Sequence, residues 1–169
     1  MSDSSKTLIL NHEDILQKIN RMSWQIWENY TGVAKLVIIG VENKGSIVAS
    51  LLHEKLSEIS NLDVHLGHVA VDKDDPTLDN ISLKCDEDLS GASVVLVDDV
   101  LNSGKTLMYS TLPILAQNPR SLHTAILANR DHTRFPIKAD YVGISLATTL
   151  QEHIHFTRDE SGEMNVYLT

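Results

Sequence analysis

The stretch Ser93-Val94-Val95-Leu96-Val97-Asp98-Asp99-Val100-Leu101-Asn102-Ser103-Gly104-Lys105-Thr106-Leu107 leaves few folds open. It begins as an apolar, valine-rich run of strand length, the pattern of a strand buried on both faces of a parallel sheet. Asp98 and Asp99 end the run, where a strand of an open α/β sheet reaches its ligand crevice. Small and amide residues follow around Gly104, and from Lys105 to about Gln117 the pattern is helical. A chain turning from strand to helix here aims several backbone N–H groups, with the hydroxyls of Ser103 and Thr106, at one point. Such a nest favours an anion, most obviously a phosphate. Carboxylates beside a phosphate cradle suit a ligand bearing both hydroxyls and a phosphate, such as a ribose 5-phosphate.

Each half also has an ordinary reading: a solvated strand end for the two acids, and a turn with a helix cap for Asn102-Ser103-Gly104. Their combination, with hydroxyls on both sides of the glycine, favours a ligand site. Gly104-Lys105-Thr106 matches the end of a nucleotide P-loop, but that pattern needs a glycine five residues before Gly104. Position 99 is Asp, which repels phosphate, so a P-loop is excluded.

Val97 to Thr106 resembles the phosphoribosyl-pyrophosphate motif of type I phosphoribosyltransferases. More narrowly, the chain from about Thr7 to Phe156 is similar to the pyrimidine-operon attenuator and uracil phosphoribosyltransferase family. The shared segments are Ile39-Gly40-Val41-Glu42-Asn43-Lys44-Gly45, Asp72-Lys73-Asp74-Asp75, Asn129-Arg130-Asp131-His132 and Pro136-Ile137-Lys138-Ala139-Asp140-Tyr141-Val142-Gly143. The resemblance implies an α/β fold with a central, mainly parallel twisted sheet flanked by helices, a flexible lid loop over residues 72–91 and a small hood. It implies Mg²⁺-dependent transfer of the ribose 5-phosphate group from 5-phosphoribosyl 1-pyrophosphate to a nucleobase, with uracil the preferred acceptor, and a homodimer.

On that resemblance Asp98, Asp99 and Lys73 carry the catalysis, the two acids holding the ribose hydroxyls and Mg²⁺ directly or through water. Asn102, Ser103, Gly104, Lys105 and Thr106 hold the 5-phosphate, and Asn43, Lys44 and Gly45 the pyrophosphate. The segment around Tyr141 recognises the base. Read from the sequence alone, Lys44 is equally a solvated turn lysine, and Arg130 either reaches the crevice or ties down a loop.

Some positions depart from the family pattern. Glu42 stands where a basic residue is usual, Asp72 where the subfamily has Tyr, and Lys73 where Arg is common. Lys keeps the charge but loses the planar fork that binds phosphate oxygens at two points. The alternative reading is a non-catalytic sensor of nucleotide or phosphoribosyl pyrophosphate, with control of RNA by attenuation as its extreme form. Against RNA stand a net charge of −9 and Leu16, Gln17 and Trp24, where RNA-binding relatives are more basic.

The rest of the chain reads as one domain spanning all 169 residues, long enough to bury a core without staples. Cys85 is the only cysteine, which leaves no internal disulfide and no cysteine-based zinc site. No apolar run approaches membrane length and residues 1–6, expected to be a disordered tail, lack signal-peptide character, so a cytoplasmic home is expected. Asn11 and Asp14 form a capping-box pattern for a helix to about Tyr30, with Ile15, Ile19, Met22 and Ile26 as its buried stripe. Trp24 and Trp27 read as packing or interface residues. Strands are expected at 36–41, 64–71, 121–128 and 141–143, a helix from the 42–45 turn to about Ile59, and a terminal hairpin near 153–156 and 165–168. His65 and His68, three apart on a strand, point to opposite faces and share no metal.

Overall fold

The computed structural model describes residues 6–169, so most of the expected tail lies outside the described residues. In chain order the elements are β1 (Thr7–Leu10), α1 (His12–Tyr30), β2 (Lys35–Val41), α2 (Lys44–Ile59), β3 (Asp63–Val71), β4 (Ile81–Lys84), β5 (Ser93–Leu101), α3 (Lys105–Leu115), β6 (Ser121–Arg130), β7 (Tyr141–Leu146), β8 (Ile154–Arg158) and β9 (Met164–Leu168).

The valine-rich run forms β5, at the centre of a six-stranded sheet in the order β4-β3-β2-β5-β6-β7. All neighbours pair in parallel except β4, an antiparallel edge strand on β3. Alternation along β5 sends Val95 and Val97 into the core under α1 and α2, and Val94 and Leu96 into the core under α3. Both faces are covered, which is why β2 and β5 are apolar without interruption. The chain leaves β2 toward α2 on one face and leaves β5 toward α3 on the other. Two adjacent parallel strands whose exits diverge open a crevice at their C-terminal ends.

The capping box of α1 forms in both directions. The Asp14 N–H donates to Asn11 Oδ1 at 2.9 Å, and the Asn11 N–H donates to Asp14 Oδ2 at 3.0 Å. Asn11→Ala is expected to lower stability by about 1 kcal/mol, read as a shifted denaturation midpoint with an unchanged m-value. The stripe Ile15, Ile19, Met22 and Ile26 is buried as the spacing predicts. Trp24 stays 42% exposed on the other side, edge-on to Trp27 with ring centroids 5.4 Å apart.

A second, antiparallel sheet in the order β1-β9-β8 forms the hood. The terminal hairpin is legible in the sequence, but its third strand is not. β1 has only four residues, and it is a strand because β9, more than 150 residues later, pairs with it.

The acidic stretch 72–91 is only partly irregular. Residues 72–80 project as a turn in which Asp72 Oδ1 accepts the N–H groups of Asp74 and Asp75. β4 then pairs with β3, and Leu89, fully buried, pins the approach to β5. His65 and His68 have separate neighbours, as their spacing requires: His65 lies between Asp63 and Glu87, and His68 Nδ1 is 3.1 Å from Ser46 Oγ.

Candidate active site

The crevice between the ends of β2 and β5 is a cleft of about 340 Å³, lined by the 42–44 turn, Lys73, residues 98–107 and part of β8. β5 does not stop at its two acids, as the sequence pattern suggests. It continues to Leu101, with Val100 paired to Ala128 and Leu101 to Asn129. The acids therefore sit on regular strand backbone, which holds them more firmly than a loop would.

Asp98 lies under the first turn of α2. A Cβ on Gly45 would stand 2.7 Å from Asp98 Oδ1 and 3.0 Å from the Val97 carbonyl oxygen, so only glycine lets the helix come this close. Gly45 is thus a packing glycine, buried against the acid rather than open to a ligand. Burial, with the Asp99 carboxylate next in size, pushes the Asp98 carboxyl well above the usual carboxylate range, and the charge of Lys73 partly opposes the rise. The Asp99 N–H donates to Asp98 Oδ1 at 2.8 Å and fixes the first carboxyl against the second.

The turn 102–106 delivers the N-terminus of α3 to the cleft. Gly104 takes φ 85°, a left-handed conformation that glycine adopts without strain, and starts the helix with its carbonyl accepting from the Met108 N–H. Ser103 Oγ accepts the Lys105 N–H at 3.3 Å. The turn is braced from outside: the N–H groups of Arg134 and Phe135 donate to the Ser103 carbonyl at 2.8 and 3.1 Å, and Ile137 packs against Gly104. The first N–H groups of a helix have no intrahelical acceptor, so a braced turn holds them ready for an anion. Lys44, Lys73 and Lys105 add three cations around the same space, and Glu42 stands among them.

Of the residues singled out in the sequence, Asn43, Lys44, Lys73, Asp98, Asp99, Asn102, Ser103, Gly104, Lys105 and Thr106 all line the cleft. Tyr141 does not. It stands level with Val97 but two strands away across β6, and its side chain is buried toward α1, where its hydroxyl accepts from Asn29 Nδ2 at 2.7 Å. Arg130 is also placed differently. Its guanidinium is spread over protein groups: Nε donates to Thr148 Oγ1 at 2.8 Å, Nη2 to the Thr149 carbonyl at 3.1 Å and Nη1 to Asn102 Oδ1 at 3.4 Å.

Sequence reasoning missed Ile154, His155 and Phe156, which close the cleft from the hood. They read only as half of a hairpin, and no local signal marks a hairpin that folds back across a site some 50 residues upstream. Asp98 and Asp99 are adjacent oxygen donors of the kind a hard dication takes while keeping several waters, although among the described residues no three acidic, His or Cys side chains are grouped to hold a metal by themselves.

Comparison with known proteins agrees with this arrangement. The family model described as a phosphoribosyl transferase domain matches residues 5–161. The bifunctional protein PyrR of Listeria monocytogenes is 32% identical, over 88% of this chain and 87% of its own length. That of Macrococcus caseolyticus is 33% identical over 92% and 93%. Among solved structures, the hypoxanthine phosphoribosyltransferase of Trypanosoma cruzi superposes with a TM-score of 0.78 at 21% identity, covering 95% of each chain. That likeness is one of fold, and it accounts for the mostly parallel sheet with helices on both faces. By the extent of the family match and the identity to the PyrR proteins, the chain belongs to the phosphoribosyl transferase domain family, on its PyrR branch.

Proposed function

We propose that the protein is a phosphoribosyltransferase that moves ribose 5-phosphate from 5-phosphoribosyl 1-pyrophosphate to a nucleobase, with uracil the preferred acceptor, and releases pyrophosphate. The observation that carries this reading is the juxtaposition of paired strand-held acids with a braced helix N-terminus in one cleft. A sugar with vicinal hydroxyls and a 5-phosphate spans those two features.

The turn Asn102–Thr106 grips the 5-phosphate through backbone N–H groups and hydroxyls. Asp98 and Asp99 accept the ribose hydroxyls, and their negative field favours positive charge developing on the sugar ring as the C1 bond to pyrophosphate loosens. Lys44 and Lys73 face the departing pyrophosphate. Asn43, in the same turn, offers its amide to the same oxygens. Mg²⁺ would be held by Asp98 and Asp99, directly or through water, and would supply charge neutralisation on the leaving group. The 72–80 turn carrying Lys73 acts as the lid that keeps water from the activated sugar. The acceptor enters beside Ile154, His155 and Phe156. Tyr141, buried toward α1, serves it only by supporting the strand.

A second reading, a nucleotide-sensing regulator, is favoured by Glu42 inside the cleft, and the PyrR relatives, named bifunctional, leave room for a role beside catalysis. A cytoplasmic home and a homodimer belong to this proposal; among the described residues no helix is long and apolar enough to cross a membrane.

The test mixes protein, Mg²⁺, phosphoribosyl pyrophosphate and a panel of bases and follows pyrophosphate release. Base-dependent release, greatest with uracil, is the expected result, and Asp99→Asn is expected to reduce it by about tenfold or more while thermal stability hardly moves. Binding of the sugar phosphate without turnover on any base would favour the sensor. RNA binding that persists at physiological salt would favour the regulator.

A further inference from the structure

One side chain joins the phosphate turn of the cleft to the segment that leads into its hood wall. Arg130 ends β6 between the phosphate turn and the 147–153 segment that leads from β7 into the hood strand β8. Its fork uses three different nitrogens: Nη1 on Asn102 of the phosphate turn, Nε and Nη2 on Thr148 and Thr149 of the hood-side segment. Thr148 is 7% exposed although polar, so its hydroxyl depends on this partner. The next turn is closed locally, with the Thr149 N–H donating to Glu152 Oε2 at 2.6 Å. The backbone thus runs from Arg130's partners directly into Ile154, His155 and Phe156 at the cleft.

We propose that Arg130 is a positioning residue that couples phosphate binding at the 102–106 turn to ordering of the hood-side segment, and so to affinity for the acceptor base. A planar, always-charged fork is suited to this, because its donors keep fixed angles and a shift of Asn102 is felt at Thr148 and Thr149. When an anion orders the turn, Asn102 holds the fork, and the fork holds the segment that carries the acceptor wall. The coupling rests on the phosphoribosyl pyrophosphate reading given above, since it needs a ligand in the turn.

The test is hydrogen exchange on the intact chain with and without phosphoribosyl pyrophosphate and Mg²⁺, together with KM and kcat for both substrates. In the native chain the ligand is expected to slow exchange over 102–107 and over 147–152. In Arg130→Met the first protection persists and the second is lost. KM for the base then rises by about fivefold or more, the lower range of a coupling between sites, while KM for the sugar changes far less. Arg130→Lys, which keeps the charge but cannot span both loops, is expected to behave like the Met variant. Thr148→Val removes the hood-side contact alone and carries the test if both Arg130 variants unfold. Ligand protection confined to 102–107 in the native chain, or retained over 147–152 in Arg130→Met, would overturn the coupling and leave the ligand assignment standing. No protection anywhere in the native chain would overturn both.

Discussion

Gly45→Val is expected to abolish binding of phosphoribosyl pyrophosphate and to cost about 3 kcal/mol of stability, the upper range for forcing side-chain volume into a packed interior. Even the first added carbon has no room, since its neighbours are Asp98 Oδ1 at 2.7 Å, the Val97 carbonyl oxygen at 3.0 Å and Asp98 Cα at 3.1 Å. The carboxyl could swing aside, but the β5 backbone cannot, because it is paired to β2 on one side and β6 on the other. The helix must therefore retreat, taking Lys44 and the 42–44 turn with it and drawing Asp98 out of line. Chemical denaturation and titration calorimetry read the two losses separately. A variant with native midpoint and native affinity would mean that α2 has slack that the close approach of Gly45 denies.

Asp98→Asn is expected to act with opposite signs on activity and stability. Turnover should fall by about a hundredfold, the scale for removing one preorganised electrostatic group from a site. The ligand-free protein should nevertheless melt roughly 2–4 °C higher at neutral pH, the shift that about 1 kcal/mol produces in a chain of this size. The reason is the upward displacement of the Asp98 carboxyl by burial and by Asp99. A raised carboxyl favours the folded state while it is protonated, and that contribution is lost as pH rises through the folded-state value. Asparagine stays neutral, keeps an oxygen to accept the Asp99 N–H, and escapes the loss. Its advantage should be absent below about pH 4, where Asp is protonated folded and unfolded, and should grow with pH until the folded carboxyl has fully ionised. Saturating Mg²⁺ and phosphoribosyl pyrophosphate should reverse the order, because only the native site gains binding energy from them. A variant less stable than the parent at every pH would refute the account of the acid pair.

Both predictions concern a site whose parts differ in how far they could be read in advance. The acids, the 102–106 turn and the 42–45 turn lie within short segments, and each is marked by a change of local pattern from apolar strand to glycine turn to helix. The 72–91 stretch was legible as a loop through its run of acids and a proline, but Lys73 was singled out within it only by the family resemblance. Tyr141 was misplaced because its neighbours in sequence say that it begins a strand but not toward which element it points. Its partner is Asn29, 112 residues earlier. Arg130 has an ambiguity that only its partners remove, since a strand-end arginine looks the same whether it meets a phosphate or a threonine.

The sequence by itself determined the strand–turn–helix units and the acids, glycine and hydroxyls placed at the central turn. These follow from periodicity, capping and turn preferences, all of which act over a few residues. Tertiary structure alone decided that a four-residue N-terminal strand completes the hood, that β8 closes the cleft, that Arg130 bridges two loops and that Asp98 sits half-buried beneath a helix. Each of these depends on contacts between distant segments, such as the pairing of Thr7 with Leu168 that makes β1 a strand. Local preferences carry no information about which distant surface will arrive, and it is that arrival which desolvates the acid at the centre of the site and pushes its carboxyl upward.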